Sequence, residues 1–222
     1  MNQFLKDKTE IVAWLYAMLI NDYTLVSNKG GGFTVDVRSD VNLQNKNFQY
    51  IPVQFGEVKG NFFCNDNHLT HLLGSPKVVT GGFYCDNNNL TTLLGSPYTV
   101  REHFFCHTNL LTSLEHAPHH VGATLNCRWN QISSLKGCPQ YVGGTFDCAD
   151  NRVESIDALP KTLGQFLRLA NNPQLGDFSR SLTFEEAQTL NAEYRIKTEK
   201  NALILGLAQT PNLNYHQSKH KI

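Results

Sequence analysis

Six cysteines and nine histidines are the side chains best able to do chemistry in this chain of 222 residues. A thiolate can attack carbon or bind a metal, and an imidazole can move a proton or ligate zinc. Their spacing argues against both uses. Cys64, Cys85, Cys106, Cys127 and Cys148 recur every 21 residues, so they fill one packing position copied along the chain. Free cysteine packs well as a small hydrophobe. Cys138 stands where other copies carry Ser75, Ser96 and Ala117, and reads as filler. A disulfide within the ladder is disfavoured, because in-register side chains on neighbouring strands run parallel rather than toward each other. His103 and His107 lie roughly 13 Å apart at strand rise, too far for one zinc. His116, His119 and His120 belong to the opposite side of a coil, and His68 and His71 read as solvated turn residues. Gly30-Gly31-Gly32 precedes a strand rather than opening a helix, so it makes a poor phosphate cradle. No zinc-protease helix or nucleophile elbow is present. The expectation is a non-enzyme with no metal and no cofactor.

The elements behind this spacing follow from the same beat. Asn67, Asn88, Asn109, Asn130, Asn151 and Asn172 sit three places after each cysteine slot. Phe62, Phe83, Phe104, Leu125 and Phe146 sit two places before it, and Leu69, Leu90, Leu111, Ile132 and Val153 five places after. Such periodicity is the signature of coils that each meet only copies of themselves. Phe-x-Cys directs both side chains inward from a short strand, and strands of successive coils lie roughly 4.8 Å apart in a parallel sheet. The asparagine stands where the strand turns away, and its amide can serve otherwise orphaned backbone groups of adjacent coils. Pro76, Pro97, Pro118, Pro139 and Pro160 close the coils on an extended back too short for a helix.

Phe83-x-Cys85-x-x-Asn88-x-Leu90 resembles the leucine-rich repeat, L-x-L-x-x-N-x-L, with phenylalanine and cysteine in the first two leucine slots. The resemblance covers residues 37–177. The short, proline-closed coil is similar to the repeats of bacterial type III secretion effectors and to repeats of tailed-phage proteins. It implies a leucine-rich-repeat solenoid with a parallel β-sheet on the concave face and an extended, polyproline-like convex face. Cys148-Ala149-Asp150 and Cys64-Asn65-Asp66 match the Cys-x-Asp motif of the ubiquitin ligases in that effector family. There the motif lies in a separate helical domain after the repeats. Here the cysteine is an inward repeat position, and the 45 residues after Asp177 are too few for that domain.

A solenoid needs its ends covered. Residues 1–36 are read as an N-terminal cap. It consists of a helix over 8–21, with Ile11, Leu15, Met18 and Leu19 inward, and a hairpin of Tyr23–Val26 with Phe33–Val37. Residues 37–57 form a degenerate first coil. Residues 178–222 are read as a C-terminal capping helix and flexible tail. Thr183-Phe184-Glu185-Glu186 matches a capping box, opening a helix to about Ala208. Phe184, Ala187, Leu190, Tyr194, Leu203, Ile204 and Leu207 are expected on the last coil, with Pro211 as the stop and a mobile tail from Asn212.

Positions between and after the inward ones must face the concave surface. The first such row holds Phe63, Tyr84, Phe105, Asn126, Asp147 and Arg168, and His103, His107, Arg128 and Trp129 flank it. Exposed aromatics beside arginine have the composition of a binding hot spot. Aromatic rows also merely stiffen sheets. The expectation is a protein-binding module using Phe63, Tyr84, Phe105, His103, His107, Arg128, Trp129, Asp147 and Arg168. By the effector and phage resemblance it would block or scaffold a host factor. Two alternatives are a small-molecule or nucleotide sequestering protein, gripping an anionic aromatic ligand with His103, His107, Arg128 and Trp129, and a self-associating structural protein.

Lys+Arg and Asp+Glu each number 19, so no basic stripe marks a nucleic-acid partner. The apolar run 11–20 is too short to span a bilayer. Met1–Asp7 lacks a basic region followed by an apolar core, and ladder cysteines suit a reducing compartment. The expected location is the cytoplasm, a host's if the chain is phage-encoded.

Overall fold

The computed structural model describes residues 4–156, 158–176 and 178–208, without the side chains of 194, 198 and 202–208. Helix α1 (Lys8–Ala17) leads into β1 (Tyr23–Ser27) and β2 (Phe33–Val37), which pair antiparallel. Strands β3 (Val41–Asn42) and β4 (Gln54–Val58) follow. The repeats then supply β5 (Phe62–Phe63), β6 (Val78–Val79), β7 (Phe83–Tyr84), β8 (Thr99–Val100), β9 (Phe104–Phe105) and β10 (His120–Val121). They continue as β11 (Leu125–Asn126), β12 (Tyr141–Val142), β13 (Phe146–Asp147), β14 (Thr162–Leu163) and β15 (Phe166–Arg168). Last come β16 (Leu182–Thr183) and α2 (Phe184–Ala208).

The chain is a parallel β-solenoid followed by a C-terminal helix. Each coil steps by one repeat, so Phe62 pairs with Phe83, Phe83 with Phe104 and Leu125 with Phe146. Where one concave sheet and a strand-free back were expected, two eight-stranded sheets form. The first runs β1-β2-β4-β6-β8-β10-β12-β14 and the second β3-β5-β7-β9-β11-β13-β15-β16. A bend at Thr80-Gly81-Gly82 and its counterparts joins one sheet to the other. The additional sheet forms because Val58, Val79, Val100, Val121, Val142 and Leu163 also keep the repeat and are all buried. Only the return segment carrying Leu90 and Leu93 lacks strands, and both leucines are fully buried.

Between the sheets runs a single core. Phe62 stacks on Phe83 at 5.2 Å and Phe83 on Phe104 at 5.6 Å. Each fully buried ring of this kind stabilises the fold by about 2–3 kcal/mol. The return turn needs a left-handed residue: Gly95 has φ +94°, and a Cβ there would lie 2.4 Å from the Leu72 backbone. His116 adopts φ +67° at the same repeat position, against the preference of an L side chain.

The asparagines close each coil against the next. The Asn109 Nδ2 donates toward the carbonyls of Cys85 (3.1 Å), Cys106 (3.2 Å) and His107 (3.2 Å), and its Oδ1 accepts from Leu90 N at 2.9 Å. Asn67, Asn88, Asn130, Asn151 and Asn172 are buried and reach the preceding coil's backbone in the same way. The residue before each asparagine is left-handed, at Asp66, Asn87, Thr108, Trp129, Asp150 and Asn171.

At the N-terminus, Asp7 accepts from Thr9 N and Glu10 N, and Ile11 and Leu15 are buried. The helix stops at Ala17 rather than 21. Leu19, expected inward, has φ +60° and is 80% exposed, and the left-handed turn swings Ile20 into the core instead. At the other end, Thr183 N donates to Glu186 Oε2 at 2.8 Å and Glu186 N to Thr183 Oγ1 at 3.3 Å, a reciprocal capping box. Ala187 is buried, with Phe184 and Leu190 packed against the core. The packing expected of Tyr194, Leu203, Ile204 and Leu207, the stop at Pro211, the polar tail and the boundary at 177 lie outside the described residues.

Candidate functional site

Two-residue strands leave one side chain per coil pointing out of the second sheet. Along it the rings of Phe63 and Tyr84 stack at 4.9 Å, and Tyr84 meets Phe105 edge-on at 5.4 Å. Phe105 touches His103 at 5.4 Å and His107 at 6.1 Å, and His107 meets Trp129 edge-on at 6.2 Å. The Arg128 guanidinium lies 4.7 Å from the Trp129 ring centre, an attractive cation–π contact. Phe63, Tyr84, Phe105, His103 and His107 are half-buried, whereas Trp129 is 53% exposed. They form one connected strip.

The strip ends in charge. Arg128 donates through Nε (3.1 Å) and Nη2 (2.7 Å) to Asp150 Oδ2, and its Nε lies 3.9 Å from Asp147 Oδ1. Arg168 donates from Nη1 to Asp147 Oδ2 at 3.5 Å and from Nε to Ser181 Oγ at 3.3 Å. Asp147, expected on the open face, is only 5% exposed, because both arginines lie across it. It is a counter-ion more than a contact residue.

The flanking carboxylates Asp66, Asp86 and Asp150 fall in the outward rows on either side, and the repeat step predicts their partners. Asp86 lies one coil before His107, with its Oδ2 3.7 Å from Nε2. Asp66 and Asp150 accept from Asn87 and Asn171, again one coil on. Burial raises the Asp86 carboxyl above its ordinary value, opposed by the charge of His107. Donation from the Gln44 side chain, with Asn87 and Asn65, lowers Asp66. Burial works against ionised Asp150, yet hydrogen bonds from Asn171 and Arg128 hold it below the usual carboxylate range. Burial raises the Tyr84 phenol, assisted by the charge of Glu102.

The ladder thiols sit on the other side of the same strands. Cys64, Cys85, Cys106, Cys127 and Cys148 are at most 1% exposed. Burial raises the first four, and pushes Cys138 up to about 12. Such thiols are poor nucleophiles. Iodoacetamide is expected to leave the five ladder cysteines of the folded protein unmodified and to label all of them in denaturant. One fast-reacting thiol at Cys148 in the native state, read by mass spectrometry, would contradict this.

Among the described residues no three His, Cys, Asp or Glu side chains gather as a metal site. No helix there is long and apolar enough to cross a membrane. His119 and His120 lie along the first sheet, where His119 stacks on Tyr98 at 4.9 Å and His120 on Tyr141 at 4.4 Å, apart from His103 and His107. No known protein family matches this chain, and comparison with curated proteins and with solved structures finds no match either.

Proposed function

We propose that this protein is a non-enzymatic binding module of leucine-rich-repeat type that engages a partner protein through the outer face of its second sheet. The observation that carries the reading is the unbroken ring contact from Phe63 through Tyr84, Phe105 and His107 to Trp129. Contiguous aromatic surface ending in arginine is the composition of interface hot spots. Rings held against one another across coils lose little freedom on binding, so an interface built on them starts pre-organised. An open sheet face also suits a protein better than a small ligand, which favours an enclosing cleft. Resemblance to effector and phage repeats supports a role in blocking or scaffolding a host factor from the cytoplasm.

Affinity purification from the native cell, repeated with Tyr84→Ala and Phe105→Ala, tests this. Each substitution is expected to weaken capture of the partner at least tenfold, about 1.4 kcal/mol, while circular dichroism stays unchanged. A partner retained undiminished by both variants would place its site elsewhere.

A further inference from the structure

Beyond the aromatic strip the second sheet opens into a cleft of about 230 Å³. Its origin is a change in one repeat row. The position after each cysteine slot carries Asn65, Asp86, His107 and Arg128 in the earlier coils, then falls to Ala149 and Ala170. Two short side chains leave a depression, and the segment leading into β16 folds back beside it, adding Phe178, Arg180 and Ser181.

Among the described residues, three arginines, Arg128, Arg168 and Arg180, and the carboxylate of Asp147 line this space. None has spent its donors. Arg168 uses Nε on Ser181 and one long Nη1 contact to Asp147, which among the described residues leaves its Nη2 uncommitted. Among the described residues Arg180 uses Nη1 on Glu186 alone, at 2.8 Å, with the arginine side chain 65% exposed. Arg128 directs Nε and Nη2 to Asp150, leaving Nη1. A guanidinium offers five N–H donors in a planar fork, the geometry that grips carboxylate and phosphate in pairs. Asp147 lies buried beneath Arg128 and Arg168, while Asp150 and Glu186 pair with Arg128 and Arg180, so the cleft offers an anion the remaining N–H donors rather than surplus charge.

We propose that this cleft is an oxyanion site, taking the carboxylate or phosphate of an organic ligand whose apolar part lies against Phe178. It adjoins the proposed partner surface and shares Arg128 with it, whereas Arg180 and Phe178 lie outside the repeat coils and belong to the cleft.

Titration calorimetry of the full chain with phenyl phosphate, benzoate and inorganic phosphate tests it. Phenyl phosphate or benzoate is expected to bind saturably, tighter than inorganic phosphate, and whichever is preferred identifies the oxyanion. Arg180→Gln is expected to weaken that binding at least tenfold, since the residue contributes only a surface ion pair to the fold. Arg168→Lys, which keeps the charge over Asp147 but loses the fork, is expected to weaken it about as much. Lys77→Gln, on the first sheet, is expected to leave it intact, as is Tyr84→Ala. No saturable binding of either aromatic probe overturns the proposal. So does an equal loss in Lys77→Gln, which would mean diffuse electrostatic attraction, or full binding in Arg180→Gln. Arg180→Gln leaves every ring of the aromatic strip in place, so its result is read independently of partner capture.

Discussion

Asn109→Leu is expected to cost the fold about 4 kcal/mol, a large share of the roughly 5–15 kcal/mol typical of folded proteins. The two side chains are close in size, so the loss comes from hydrogen bonding and not from a cavity. Leucine leaves the buried Leu90 N–H without its acceptor and withdraws the donors from the carbonyls of Cys85, Cys106 and His107. Stranding one buried polar group costs about 1–3 kcal/mol, and the change strands at least two. Asn109→Asp is expected to cost a similar amount: it keeps an acceptor for Leu90 but turns a second oxygen toward three carbonyls. Asn89→Leu, at an exposed position of the neighbouring coil, is the control and should change stability by less than about 0.5 kcal/mol. Urea unfolding measures all three. A cost below about 1 kcal/mol for Asn109→Leu would mean that the ladder follows the coil rather than holding it.

The same beat explains what was readable in the chain and what was not. Phe83, Cys85, Asn88 and Leu90 recur together, so their inward positions and the parallel stacking could be read without coordinates. The first sheet left an equally regular trace in Val79, Val100, Val121 and Val142. It was missed because strands of two residues are too short to show alternation. Asp86 with His107, and Asp66 with Asn87, could have been paired by adding one repeat to a residue number. Leu19 misled because a left-handed residue ends the helix, and sequence periodicity does not register a sign change in φ. The cleft by Arg180 could not be anticipated at all. It depends on β16 pairing antiparallel to β15, a reversal outside the repeat with no partner position to predict it.

Trp129 joins local strain to recognition, and its replacement is expected to move stability and binding in opposite directions. The residue before the ladder asparagine is left-handed in every regular coil, and Asp66, Asn87, Asp150 and Asn171 accept that conformation readily. Trp129 holds it at φ +51° with a bulky side chain, at a cost of about 1–2 kcal/mol. Packing does not repay that cost, since more than half the residue lies in solvent, and the contact with Arg128 returns only about 0.5–1 kcal/mol. Trp129→Asn should therefore stabilise the protein by about 0.5–1 kcal/mol, raising the unfolding midpoint by about 2–3 °C in a chain of this length. It should also weaken partner binding more than tenfold, because the most exposed ring of the strip is gone. His116→Gly supplies the comparison. It relieves the same kind of strain at φ +67°, far from the strip, and should gain stability with binding unchanged. Calorimetric unfolding and partner titration of the two variants separate the effects. If Trp129→Asn lowers the midpoint, the ring is there for packing; if it raises the midpoint and spares binding, the strip ends before Trp129.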